Sequence, residues 1–237
     1  MTGHGTEDLE HEIEKSWTAN AAAWADVVRQ DLIASRRIGT NRAVFDAILE
    51  RQPRRVLDVG CGEGWLAHQL AGNGIDVVGF DSSDALLEHA RAGAGTFHRL
   101  SYDAFASNPA QTGHGFDVAV CNFSLLGKDI AHVLRACAAV LAPGGVLVIQ
   151  TIHPFMDALQ SPYEDGWRRE DFSGMPATFS ASMPWYFRTM STWIEDVAGA
   201  GFVVESVREP LHPETRRPLS MLVIGSKQGH TSTSKPH

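Results

Sequence analysis

The spacing of apolar residues changes character near residue 54. From Glu7 to Glu50, Trp17, Trp24, Val28, Leu32, Val44, Ile48 and Leu49 stand among polar neighbours, as on the buried stripes of helices. Beyond Arg54, short apolar runs alternate with amphipathic stretches, the pattern of strand–helix–strand units around a parallel sheet. Strands are predicted over Arg55 to Val59, Asp76 to Phe80, Thr96 to Tyr102, Phe116 to Phe123 and Val146 to Ile152. The fourth, FDVAVCNF, is apolar almost throughout, which suits a strand covered on both faces.

Helices are predicted between these strands. One runs from Gly64 to Ala71, closed by Gly72 and Gly74; Ser82-Ser83-Asp84 offers capping oxygens and early negative charge to a second, reaching Ala92. Ile130, Val133, Leu134, Cys137, Val140 and Leu141 recur at helical spacing over Asp129 to Leu141, and Pro143-Gly144-Gly145 then turns the chain into the fifth strand. An irregular, ligand-facing stretch is expected from Asp103. Between residues 153 and 188 four prolines and a crowd of aromatics break the pattern, as in a lid insertion. A helix near Met190 to Ala198 follows, and Phe202 to Val207 should pair antiparallel with Met221 to Gly225 at the sheet end.

The predicted fold is therefore α/β: a doubly wound, mostly parallel, seven-stranded sheet with an antiparallel end strand. A helical cover is expected over residues 1–53, the main domain over 54–227 with the lid at 153–188, and a disordered tail over 228–237.

Composition narrows the function classes. At 237 residues and 43% hydrophobic, the chain can bury one good core. Its formal charge of −8 opposes nucleic acid or an anionic membrane surface as main partner. Cys61, Cys121 and Cys137 lack metal-ligand spacing and read as reduced thiols, and no metal site is expected. With a polar, acidic start and no apolar run near the ~18 residues of a membrane span, a cytoplasmic protein is expected.

The chemistry concentrates in Val56-Leu57-Asp58-Val59-Gly60-Cys61-Gly62-Glu63-Gly64-Trp65. A strand carrying a carboxylate runs into a G-x-G-x-G turn and then a helix, the form of a nucleotide-binding corner. Trp65 stands where a dinucleotide fingerprint would have its third glycine, which counts against an NAD-linked oxidoreductase, the rival enzyme class. A non-catalytic cofactor-binding protein is the other alternative.

VLDVGCGEGW, VVGFDSSDALLEHAR, FDVAVCNFSLL and LAPGGVLVIQT stand in an order and spacing that resemble class I S-adenosylmethionine-dependent methyltransferases of the small-molecule and natural-product type. That resemblance implies a Rossmann-like methyltransferase fold, S-adenosylmethionine as cofactor, S-adenosylhomocysteine as its product, and a small-molecule acceptor. It implies that Asp58, Gly60 and Gly62 hold the methionyl end, that Asp81, with Ser82 beside it, takes the ribose hydroxyls, and that Asp103 and Ala104 meet the adenine. Asn122 and Phe123 would face the transferring methyl group. Cys61 lies within the same glycine loop and is given no chemical role. From the N-terminal cover, Trp24 with Arg36 or Arg37, Arg37 foremost, would close over the cofactor carboxylate.

The acceptor pocket is expected beyond the carboxyl ends of the strands. Phe123, Trp167, Trp185, Tyr186 and Arg188 are candidates to line it, with aromatics suiting a flat or apolar acceptor. His153, directly after the fifth strand, is the candidate base or acceptor-orienting group. The acceptor atom, whether O, N, S or C, and the oligomeric state are left open.

Overall fold

A computed structural model describes residues 5–157, 159 and 161–228. In chain order, the elements are α1 (Thr6–Arg29), a π-helical turn (Arg36–Thr40), α2 (Asn41–Leu49), β1 (Arg55–Val59), α3 (Trp65–Ala71), β2 (Asp76–Asp81), α4 (Asp84–Ala90) and β3 (Thr96–Arg99). They continue with α5 (Tyr102–Ser107), a short 3₁₀ turn (Pro109–Thr112), β4 (Phe116–Asn122), α6 (Ala131–Val140), β5 (Leu141–Thr151) and α7 (Pro154–Asp157). A hairpin of β6 (Gly166–Glu170) and β7 (Met183–Phe187) precedes α8 (Met190–Gly199), β8 (Phe202–Arg208) and β9 (Met221–Lys227).

Seven strands form one sheet in the order β3-β2-β1-β4-β5-β9-β8. Pairs from β3 across to β5 are parallel, whereas β9 runs antiparallel to both β5 and β8. The strand order reverses between β1 and β4, so the loops leaving their carboxyl ends diverge and open a crevice there.

Side chains of alternating strand positions feed two cores. On one face Leu57, Val59, Phe80, Ala119, Cys121, Leu147 and Ile149 pack with α5, α6 and α8; on the other Val56, Val118, Val120 and Val148 meet Val44 and Ile48 of α2 and Leu66 and Leu70 of α3. Phe80 is fully buried, and truncating such a ring to alanine costs about 3–5 kcal/mol.

Four boundaries differ from the sequence expectation. The third strand stops at Arg99, and the stretch expected to be irregular is α5, capped by Ser101 Oγ accepting from Ala104 N at 3.2 Å. Helix α6 ends at Val140 and β5 starts at Leu141, taking Pro143-Gly144-Gly145 into the strand with a shift of register between Phe116 and Val118. The N-terminal cover is broken at Asp31, whose φ is +52°, leaving Leu32 exposed rather than anchored. Inside the proline-rich segment lies an antiparallel hairpin pairing Trp167 with Tyr186 and Glu170 with Met183. Of the expected tail, residues 229–237 lie outside the described residues. No described helix is long and apolar enough to cross a membrane.

The cover is fastened to this hairpin rather than to the sheet alone. Asn20 of α1 donates from Nδ2 to Ala181 O at 2.7 Å, while its Oδ1 accepts from Ser180 N at 2.8 Å and Ala181 N at 3.2 Å. Arg169 of β6 reaches Glu12 of α1 with both terminal nitrogens, at 2.5 and 3.1 Å.

Candidate active site

Two cavities open at the switch point, of about 380 and 430 Å³. Trp17, Trp24, Arg36, Phe123 and Leu126 belong to the walls of both, so the cavities are neighbours across a shared partition. We call them the inner and outer cavity.

The inner cavity is built on the glycine loop. Gly60 has φ +71°, and a Cβ there would come within 2.5 Å of the Tyr102 hydroxyl and 2.6 Å of Ser124 Cβ. Gly62, with φ +55°, faces open space where a ligand can approach the backbone. Gly62 N donates to Asp81 Oδ2 at 3.0 Å and Ser83 N to Asp81 Oδ1 at 2.9 Å, so both carboxylate oxygens of Asp81 are oriented and retain lone pairs for a diol. Ser82 and Cys61 also line the wall.

Register places Asp58 beside Gly79 of β2 and Val120 of β4, where it is 2% exposed. Its Oδ2 has no hydrogen-bond partner among the described residues. Burial first, then the nearby Glu63 and Asp81 carboxylates, push its carboxyl up to about 8. Burial likewise raises Asp81, against the backbone N–H groups of Ser83, Gly62 and Ser82. Three clustered carboxylates, one with an orphaned buried oxygen, suit a ligand that brings positive charge and N–H donors.

Sequence patterns leave out Glu63, whose Oε2 accepts from Trp24 Nε1 at 2.9 Å and whose Oε1 lies 3.9 Å from Arg36 Nη1. Arg36 is therefore the arginine that meets the site, its guanidinium 5.2 Å from the Trp24 ring and 5.8 Å from that of Trp65. Arg37 is exposed and lines neither cavity, a correction to the expected choice. Trp65 combines core packing with a place in the inner wall.

Asn122 and Phe123 stand at the inner wall. Phe123 holds φ +55°, a strained conformation for a non-glycine residue, while its N–H donates to Gln150 O at 2.8 Å. Asp103 lies at the rim, its Oδ1 3.2 Å from His132 Nε2. Ala104 is not in the wall, because its N–H caps onto Ser101 at the start of α5. Tyr102, also missed by sequence reasoning, donates to Ser124 O at 2.9 Å and braces Gly60.

The outer cavity is aromatic: Trp17, Trp24, Phe123, Phe172, Trp185, Tyr186, Phe187 and Trp193 line it. Arg188 lines it as well, but Trp167 stands behind, edge-on to Tyr186 at 5.5 Å. His153 lines neither cavity. Its Nδ1 accepts from Phe155 N at 3.2 Å, which leaves Nε2 to donate to Glu209 Oε1 at 2.7 Å. The geometry thus assigns His153 to fastening the end of β5, not to the acceptor pocket.

A seven-stranded sheet whose antiparallel strand lies second from one edge, with a glycine loop and a buried carboxylate at the switch point, has the class I methyltransferase architecture. A family model described as a methyltransferase domain matches residues 33–207, and the chain belongs to that family.

Individual likenesses are more distant. The chain is 36% identical over 115 residues to a ubiquinone biosynthesis O-methyltransferase of Sinorhizobium medicae, a match covering 46% of each chain. It thus spans about half the length of the curated relatives it matches. Among solved structures it resembles 1,6-didemethyltoxoflavin-N1-methyltransferase of Burkholderia thailandensis, with bound 1,6-didemethyltoxoflavin and S-adenosylhomocysteine, at a TM-score of 0.65 and 17% identity. That match covers 97% of this chain and 93% of the other. Magnesium protoporphyrin IX methyltransferase of Synechocystis gives 0.63 at 15% identity, covering 93% and 100%. At such identities these two likenesses concern the fold.

Proposed function

We propose that the chain transfers a methyl group from S-adenosylmethionine to a small, flat, apolar or aromatic acceptor. The observation that carries this reading is the pair of neighbouring cavities sharing Phe123 and Trp24, one lined by carboxylates and glycine loop, the other by aromatics. Bound in the inner cavity, S-adenosylmethionine would supply an electrophilic methyl group on a sulfonium.

Asp58 would accept hydrogen bonds from the methionyl ammonium through its orphaned Oδ2, and Asp81 would take the ribose diol. Gly60 and Gly62 let the backbone approach, Arg36 offers its guanidinium to the carboxylate end, and Asp103 stands at the adenine rim. Phe123 and Trp24, which border both cavities, would flank the point where the two ligands meet and exclude water from the reacting atoms, and the hairpin aromatics would hold the acceptor's plane. The chain's part in catalysis is then mostly positioning. Among the described residues the three cysteines are free and buried, which supports a reducing, cytoplasmic setting.

The test is to incubate the protein with S-adenosylmethionine and a panel of planar hydroxylated and aminated aromatics, and to look by mass spectrometry for products heavier by one CH₂. Methylated product formed with release of S-adenosylhomocysteine is expected. Donor binding without any methylated product across the panel would favour a cofactor-binding protein instead.

A further inference from the structure

The aromatic walls of the outer cavity conceal an imbalance of charge. Two of its lining residues are arginines, and each already faces a carboxylate. Arg188, only 2% exposed, donates from Nε to Asp196 at 2.9 Å and from Nη2 to the carbonyls of Gly127 and Lys128 at 2.8 and 2.6 Å. Its guanidinium also lies 5.2 Å from the Tyr186 ring and 5.1 Å from that of Trp193. Arg36 faces Glu63 and stacks on Trp24 and Trp65.

Glu170, at the end of β6, is the single carboxylate among the described residues lining this cavity. One oxygen, Oε1, accepts from Phe172 N at 2.7 Å and so shapes the turn in which Phe172 takes φ +59°. The neighbouring cations point elsewhere: Arg168 pairs with Asp157 and the carbonyl of Pro162, and Arg169 with Glu12 and Ser182. No ion pair or further hydrogen bond occupies Glu170 Oε2 among the described residues, and Phe172, Met183 and Trp185 stand beside it in the cavity wall.

We propose that Glu170 sets acceptor specificity and takes the acceptor's proton, selecting flat, uncharged molecules whose reactive hydroxyl donates to Oε2. This rests on the outer cavity being the acceptor site. In the transfer, the acceptor's O–H bond breaks and its proton passes to Glu170, while the oxygen's electron pair forms the new O–C bond to the methyl group. The sulfur–methyl bond breaks with its pair kept by sulfur. A cation and a carboxylate thereby become a neutral thioether and a carboxylic acid, and Glu170 returns its proton to solvent. An acceptor that is already an anion is repelled by the same carboxylate.

Equilibrium dialysis of 2-naphthol and 2-naphthoate at neutral pH against the full chain saturated with S-adenosylhomocysteine tests this. The two probes share a ring system and differ in charge. Naphthol is expected to bind about tenfold or more tightly than naphthoate, given the cost of placing like charges together. Glu170→Gln keeps an oxygen for Phe172 N but removes the charge, and should raise naphthoate affinity about fivefold or more. Glu170→Asp should keep the wild-type order. Equal binding of the two probes to the wild type, or an unchanged ratio in Glu170→Gln, overturns the proposal. If neither probe binds while S-adenosylhomocysteine still titrates, the acceptor-cavity reading fails and the proposal falls with it; if S-adenosylhomocysteine does not bind either, the cofactor reading is what failed.

Discussion

Asp58 concentrates the electrostatic demand of the inner cavity. Its carboxyl is raised to about 8, so over the range from ordinary carboxylate values up to that point the folded chain holds a proton that the unfolded chain gives up. Ligand-free stability should therefore fall as pH rises through this window, and Asp58→Asn should flatten the slope of melting temperature between about pH 5 and 8. Binding a cation must ionise the group, so cofactor binding should release a proton and tighten as pH rises toward 8; calorimetry in buffers of different ionisation enthalpy reads this directly.

Residue-level chemistry was partly legible. The carboxylates at the ends of β1 and β2 follow from strand and glycine patterns, whereas choosing between Arg36 and Arg37 depends on the phase of a π turn, where one step rotates a side chain from the cavity to solvent. Arg36→Ala should weaken S-adenosylhomocysteine binding about tenfold, as loss of a charge-assisted contact does, and Arg37→Ala should leave it unchanged. His153 escaped for a similar reason, since the partner that claims it, Glu209, is 56 residues away in sequence. His153→Ala should cost about 1–3 kcal/mol in denaturant unfolding while turnover of the folded protein persists. Lost turnover at full stability would return His153 to the chemistry.

At the level of elements, the parallel strands were readable because burial on both faces leaves continuous apolar runs. Helix α5 was hidden by its length, since six residues are too few to show a helical repeat, although Ser101 followed by an acidic first turn is a start signal. The hairpin of β6 and β7 was hidden by Pro184, which sits within β7 of a two-stranded ribbon, where one ladder hydrogen bond can be spared. That hairpin and α1 act as a unit through Asn20. Asn20→Ala removes three hydrogen bonds to the backbone of Ser180 and Ala181, and should lower stability by about 1–3 kcal/mol and raise acceptor KM more than it lowers kcat. A fall in kcat with KM unchanged would place the clasp outside acceptor binding.

Over the whole molecule, the sheet's switch point, the glycine loop and the N-terminal cover meet around one partition, made by Trp17, Trp24, Arg36, Phe123 and Leu126. Local patterns fixed the sheet half of that meeting, but the cover half depends on contacts spanning more than 160 residues between α1 and the hairpin, as between Asn20 and Ala181. Such contacts leave no periodic trace in a chain. Everything proposed for this partition depends on the inner cavity binding the sulfonium cofactor and not a dinucleotide, with Asp81 on its ribose. Calorimetric titration of the wild type and Asp81→Ala with S-adenosylhomocysteine and with NAD tests it most directly. One S-adenosylhomocysteine site with Kd of about 0.1–10 µM, weakened by about 1–3 kcal/mol in the variant, and no heat from NAD are expected. Binding of NAD without S-adenosylhomocysteine, or an affinity for S-adenosylhomocysteine untouched by Asp81→Ala, would contradict it.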